Sequence, residues 1–253
     1  MTSGATDRGL ITDLGTGLAF LTRVPARGAP DGSLARAAWT FPIVGALIGA
    51  CGALAFWVAS GLGLQPFVAG VLAIAATLLV TGALHEDGLA DTADGFGAGG
   101  SRERKLEIMR DSRSGTYGVL ALILSVLLRA GAITSLVEPA LVAPALIAAH
   151  AAARATLPAF MRFVPQARAD GLAAGAGAPS TTNVTIAALL GAIALVYGFG
   201  FANMLMVVAL LAVVAFLMAR LALRQIGGQT GDVLGALEQA GEILLLLAAA
   251  SLL

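Results

Sequence analysis

Hydrophobic and polar positions alternate along this chain in blocks rather than residue by residue. Apolar runs of about twenty residues, the length a bilayer requires, are separated by short segments that hold nearly all the charge. The expected spans are residues 41–60, 67–84, 117–137, 139–161, 184–202 and 204–223, with a last one from residue 233 to the C-terminus. Pro42 falls in the first turn of its span, where a missing N–H costs nothing. Residues 10–21 are too short and too polar to cross and are expected to lie at the interface. After a glycine-rich break at 97–100, Ser101 is a natural N-cap for a short amphipathic helix ending near Asp111. The fold class that follows is all-α: a polytopic integral membrane helical bundle of six to seven transmembrane helices, read as one domain over residues 1–253.

Composition strengthens this reading. Hydrophobic residues make up 58% and charged residues 12%, and the mean hydropathy of +0.90 lies far from that of soluble domains. Fifteen bases balance fifteen acids, so nothing points to a nucleic-acid partner or a polybasic lipid clamp. The one cysteine, Cys51, sits in an apolar run and is expected to pack. No removable signal peptide is expected from the N-terminal pattern. Gly45 and Gly49, four apart, suit close helix contact, either within the chain or in a homodimer.

Charge also orders the loops. The N-terminal segment, 85–113, 162–183 (with Arg168 and Asp170) and 224–232 fall on one side, while the opposite turns near 61–66, 138 and 203 carry only Glu138. The positive-inside tendency puts every charged loop in the cytoplasm. Two motifs, near residues 90 and 230, then share one membrane face.

The first motif is the chemical centre. Residues 85–113 hold twelve of the thirty formal charges, and they open on His85-Glu86-Asp87-Gly88-Leu89-Ala90-Asp91-Thr92-Ala93-Asp94-Gly95. On a helix, Asp91 and Asp94 fall within roughly 60° of Asp87. Three ionised carboxylates that close call for a counter-cation, and few carboxylates with room for water and phosphate oxygens describe Mg²⁺. The plain alternative is a solvated acidic turn. Gly88 and Gly95 would let backbone approach a phosphate. Glu86 points about 100° away and is a ligand only if the helix loosens. His85 either orients a ligand and moves a proton or is an interfacial hydrogen-bonded residue.

Further candidates gather around it. Arg102, Lys105 and Arg110, with Asp111, Ser112 and Gly115, form either an anion-binding wall or an ordinary basic flank. Arg129, His150 and Arg154 lie inside spans, where ionisable groups face a bundle interior or a wet cavity, and Arg154 is the better substrate ligand. Gly227, Gly228 and Thr230 open onto a helix whose amides suit phosphate, and Asp232 is placed to join the metal.

With these pieces in order, the sequence resembles the cobalamin synthase family, the adenosylcobinamide-GDP ribazoletransferases. The matching residues are His85-x-Asp87-Gly88-x-x-Asp91-x-x-Asp94-Gly95, then Leu106-Glu107-Ile108-Met109-Arg110-Asp111-Ser112 with Gly115 and Gly118. Shorter matches are Phe20 to Pro25, Phe41 to Gly45 and Gly227 to Gly235. The resemblance implies that a ribose hydroxyl of α-ribazole, or of its phosphate, attacks the cobinamide-linked phosphorus of adenosylcobinamide-GDP, and GMP leaves. Mg²⁺ on Asp87, Asp91 and Asp94 would bridge the diphosphate, or one carboxylate, Asp94, would take the hydroxyl proton. CDP-alcohol phosphotransferases and aromatic prenyltransferases also use aspartate-held Mg²⁺, at other spacings. A transporter would call for carboxylates deep in the spans and inverted repeats, and the sequence pattern is read as having neither.

Overall fold

The computed structural model describes residues 3–26, 34–168 and 175–253, and side chains from residue 9 onward in the first of these ranges. Asp170 and Arg27 lie outside the described residues, and so does the side chain of Arg8. Every element among the described residues is helical, apart from a single bridge between Gln166 and Gln229.

Helix α1 (Ser3–Leu21) is held to the bundle by Asp13, which accepts from Arg36 Nε at 2.8 Å and Trp39 Nε1 at 3.1 Å. A short turn of helix, α2 (Leu34–Ala37), leads through a 3-10 turn into α3 (Phe41–Gly61), which starts where Pro42 permits. A tight turn returns the chain as α4 (Pro66–Thr81).

The second span and the acidic motif that follows it directly form two helices. Gly82 and Ala83 both adopt left-handed backbone (φ 65° and 57°), and α5 (Leu84–Gly97) leaves α4 at 92°. Glycine closes α4 in the usual C′ conformation, and Ala83 extends the turn at some strain. The acidic motif is therefore helical as expected, but it forms a separate polar helix outside the apolar spans.

Next come α6 (Arg102–Ile108), α7 (Thr116–Leu136), α8 (Pro139–Phe163), α9 (Thr181–Ile226) and α10 (Gly231–Leu252). Ser101 caps α6 by accepting from Arg104 N at 3.3 Å, as expected, although the helix stops at Ile108.

At 46 residues, α9 would be roughly 69 Å long if straight, about twice what a bilayer takes. It divides at Gly200, whose φ of 71° and ψ of 166° suit glycine alone. Both halves pack along α8: Gly191 abuts Ala155 before the break, and after it Leu211 meets Gly241 beside Ala153. The ends of α9 both return to the C-terminal end of α8, where Arg162 donates to Pro179 O just ahead of the helix and Gln229, just past it, donates to Met161 O and Val164 O. The two expected spans are thus the arms of a hairpin. Counted with α3, α4, α7, α8 and α10, they give seven apolar segments among the described residues, α4 being the shortest.

Helix α8 is central, packing against α3, α9 and α10. It is lined with alanines, and α3 meets it through Gly45 and Gly49. A Cβ at Gly49 would stand 2.5 Å from Leu146 O and 2.7 Å from Ile147 Cα. The glycine pair therefore serves packing within the chain, which settles the earlier choice between that and a dimer contact for these two residues. Large side chains such as Trp57, Leu79, Leu189, Phe201 and Leu205 point outward, as a surface solvated by hydrocarbon requires.

Candidate active site

Helices α5 and α10 approach so closely that side chains are excluded between them. A Cβ on Gly88 would lie 2.8 Å from Asp232 O, and one on Gly235 would lie 3.0 Å from His85 O. Gly88, expected to admit a phosphate, is spent on this helix contact. Gly95 likewise packs against Met109 and the Lys105 carbonyl of α6. The contact brings the two distant acidic motifs together.

Asp87 and Asp232 line one pocket, along with His85, Gly88 and Gly231, and Asp91 stands among the negative charges of Asp87, Asp232 and Asp94. Arg168 is the opposing cation, 3.7 Å from Asp232 Oδ2. Asp87 is exposed, whereas Asp91 and Asp232 are half-buried. Carboxylates crowded at a half-buried wall repel unless a cation joins them, so the donor set fits a hard divalent ion that retains waters. Gly231, with nothing within 4 Å of its Cβ position, leaves the N-terminus of α10 open to an anion there.

Asp94 has a different place from the one expected. Its carboxylate accepts from Gly115 N at 2.6 Å and Gly118 N at 2.9 Å, capping α7 from a neighbouring helix. A Cβ at Gly115 would meet Asp94 Oδ1 at 2.5 Å, so the Gly115 and Gly118 of the motif make room for this cap. Asp94 is therefore better placed to fix α5 against α7 than to act as the base. Glu86 also departs from the metal reading: it is buried, and its Oε1 is 3.0 Å from Arg129 Nη1.

The basic helix α6 forms ties rather than an anion wall. Arg102 Nη2 donates to Ala167 O at 2.5 Å, and Lys105 pairs with Gln225. Arg113 grips Asp111 at 2.7 Å, which holds the Asp111 carboxyl down at about 2. Arg110 and Ser112 are exposed. The glycine-rich loop is equally occupied: Gly227 ends α9 at φ 77°, and a Cβ on Gly228 would sit 2.9 Å from Ala167 N. Gln229 extends that contact, donating through N to Pro165 O at 2.8 Å and through Nε2 to Val164 O at 2.8 Å. Thr230 caps α10, accepting from Val233 N at 3.3 Å, and donates to Asp232 Oδ2 at 3.1 Å. Of the expected phosphate cradle, the open position is Gly231, not Gly228.

Below the pocket lies a buried ionic network that the sequence reading missed. Arg129 Nη1 is 3.0 Å from both Glu86 Oε1 and Glu242 Oε1, and His150 Nδ1 is 3.0 Å from Glu242 Oε2. Arg154 Nη1 lies 2.5 Å from Glu238 Oε1, and its Nη2 is 3.2 Å from His85 Nδ1. Gln239 and Ser125 extend the chain of hydrogen bonds. Arg154 is thus engaged within the bundle rather than presented to a substrate. His150, Glu238 and Glu242 bring possible ligand atoms within 4.8 Å of one another, but the two guanidiniums already supply the cations there. Glu238 and Glu242 are also carboxylates deep in a span, which the sequence reading held to be absent. Their signal was available: two acids four apart in an apolar helix share a face.

Known proteins resemble this chain along nearly its whole length. An adenosylcobinamide-GDP ribazoletransferase of Bradyrhizobium diazoefficiens is 55% identical over 249 residues, covering 97% of this chain and 96% of that protein. Proteins of the same name from Mesorhizobium japonicum and Azorhizobium caulinodans are 48% and 46% identical, covering 96% and 94% of this chain. No solved structure matches it. The family described as Cobalamin-5-phosphate synthase matches residues 13–250, a stretch that holds both acidic motifs and the helices that join them, and the chain belongs to that family.

Proposed function

We propose that this chain is a transferase that joins adenosylcobinamide-GDP to α-ribazole or α-ribazole phosphate, giving adenosylcobalamin or adenosylcobalamin phosphate respectively, with release of GMP. The observation that carries the reading is the convergence of Asp87 and Asp232 on one pocket, with Asp91 beside them, from motifs some 140 residues apart in a chain matched over 97% of its length by a transferase of that name. Asp87, Asp91 and Asp232 would hold Mg²⁺, which when bound offsets diphosphate charge and lowers the pKa of an attacking hydroxyl. The chain's own groups do the rest. The open α10 N-terminus at Gly231 offers backbone N–H groups to a phosphate oxygen, and the hydroxyl proton passes to the carboxylate cluster. Glu86, His85 and Asp94 fix both ends of α5, so that the two aspartates between them keep one orientation.

Purified protein given adenosylcobinamide-GDP, α-ribazole and Mg²⁺ is expected to release GMP, and a chelator is expected to stop it. No GMP with either acceptor would refute the reading.

The site belongs on the cytoplasmic side of a bacterial inner membrane, because the basic residues gather at the end of the bundle that carries it. In a Cys51→Ala background, Ser112→Cys is expected to be labelled from the cytoplasmic side of sealed vesicles, and Leu62→Cys and Glu138→Cys from the other. Labelling of Ser112→Cys and Leu62→Cys from the same side would overturn that orientation.

A further inference from the structure

The pocket that Asp87 and Asp232 edge has a second wall of another character. Phe20, Leu34, Phe41, Leu84, Leu157 and Met161 face it from α1, α2, α3, α5 and α8, and among the described residues this wall presents no side-chain hydrogen-bonding group. Its volume is about 140 Å³. Phe20 and Phe41 stack at 6.1 Å with their planes 16° apart, which gives the wall a flat aromatic part.

We infer that this apolar half is the subsite for the heteroaromatic base of the acceptor nucleoside, an assignment that rests on the transferase reading above. Size excludes one rival, because a corrin macrocycle far exceeds a cavity of this volume and must lie outside it. Chemistry excludes the other. Guanine carries donors and acceptors along two edges, and burying them against aliphatic and phenyl groups would leave them desolvated and unpaired. A dimethylated benzimidazole has an apolar, methyl-bearing edge and gains from the same walls. With its base seated there, the ribose extends toward Asp87 and Asp232, where its hydroxyl meets the phosphorus. The guanosine and corrin portions of the other substrate then approach from the open side of the carboxylates.

The test separates the two substrates' constants. Leu157→Phe, which fills the pocket, is expected to raise KM for α-ribazole about tenfold, the order that a methylene-sized misfit gives in an apolar pocket. KM for adenosylcobinamide-GDP and kcat should stay within about twofold, as expected when only ground-state and transition-state binding of one partner is lost equally. The same riboside with an unmethylated benzimidazole should suffer less in this variant than α-ribazole does. Because Leu157 is buried, Phe20→Ala at a half-buried position is the companion variant, and it should raise KM for α-ribazole in the same selective way. A rise confined to KM for adenosylcobinamide-GDP would give the pocket to guanine, and unchanged constants in both variants would remove it from the substrate path. Either outcome overturns the assignment while wild-type GMP release leaves the transferase reading standing. Absence of GMP release from wild type would instead remove that reading itself.

Discussion

Asp87→Asn and Asp91→Asn are each expected to lower GMP release by about a hundredfold to a thousandfold at saturating Mg²⁺, with folding unchanged. The magnitude is that of removing one preorganised electrostatic contact from a site where charge develops. Folding should be spared because these two carboxylates are not tied into the packing: Asp87 is exposed, and Asp91 stands beside other acids. Removing one negative charge from such a cluster relieves repulsion. Asp232→Asn should follow the same pattern, with a smaller stability gain because it also weakens the contacts that Asp232 makes with Arg168 and Thr230. Asp94→Asn should behave in the opposite way. Its amide can accept at one oxygen but would present N–H groups to the N–H of Gly115 or Gly118, so α7 loses part of its cap at about 1 kcal/mol or more. GMP release and the thermal midpoint in detergent, measured on all four variants, check this split. Near-wild-type rates in both Asp87→Asn and Asp91→Asn would remove the metal from these residues.

The difference between Asp94 and its neighbours shows how far the sequence carries. Helical spacing places Asp87, Asp91 and Asp94 on one face, and block hydropathy places that face at the charged end of the bundle. Neither reveals which neighbour each carboxylate meets. Asp94 is taken up by the start of α7 and Glu86 by Arg129, because contacts between distant segments decide those partners. The glycines teach the same point. Gly88, Gly95 and Gly228 stand in motifs suited to phosphate, yet Gly88 and Gly228 are needed where two backbones touch and Gly95 where the Met109 side chain packs, whereas Gly231 keeps an open face. The spans were legible because lipid imposes a length and a composition on each one. The break at Gly82 and Ala83 was not, since one glycine in an apolar run is common in membrane helices and only tertiary contacts select the left-handed turn. For α10, hydropathy alone concealed Glu238 and Glu242 among their apolar neighbours.

Those two acids set up the second large effect. The network joins three carboxylates, Glu86, Glu238 and Glu242, to two guanidiniums, Arg129 and Arg154, with His85 and His150 between them. Three carboxylates face two guanidiniums, so the acids outnumber the permanent cations, and loss of a positive group and loss of a negative group are not equivalent. Arg129→Gln leaves Glu86 and Glu242 facing each other without a cation and is expected to cost about 3–5 kcal/mol, the usual penalty for breaking a buried pair from one side. Glu242→Gln evens the count of acids and guanidiniums and keeps an oxygen for Arg129, and it should cost about 1 kcal/mol, the worth of an ordinary hydrogen bond weakened. The double variant restores the original charge and should therefore be more stable than Arg129→Gln alone, which is a coupling that independent sites would not show. Because Glu86 anchors α5 beside Asp87, GMP release at the growth temperature should follow the same order. Thermal midpoints and the monodisperse fraction after detergent extraction would establish it for the three proteins. If Glu242→Gln proves the more damaging single change, or if the double variant is merely additive, charge balance is not what holds α5 to the bundle.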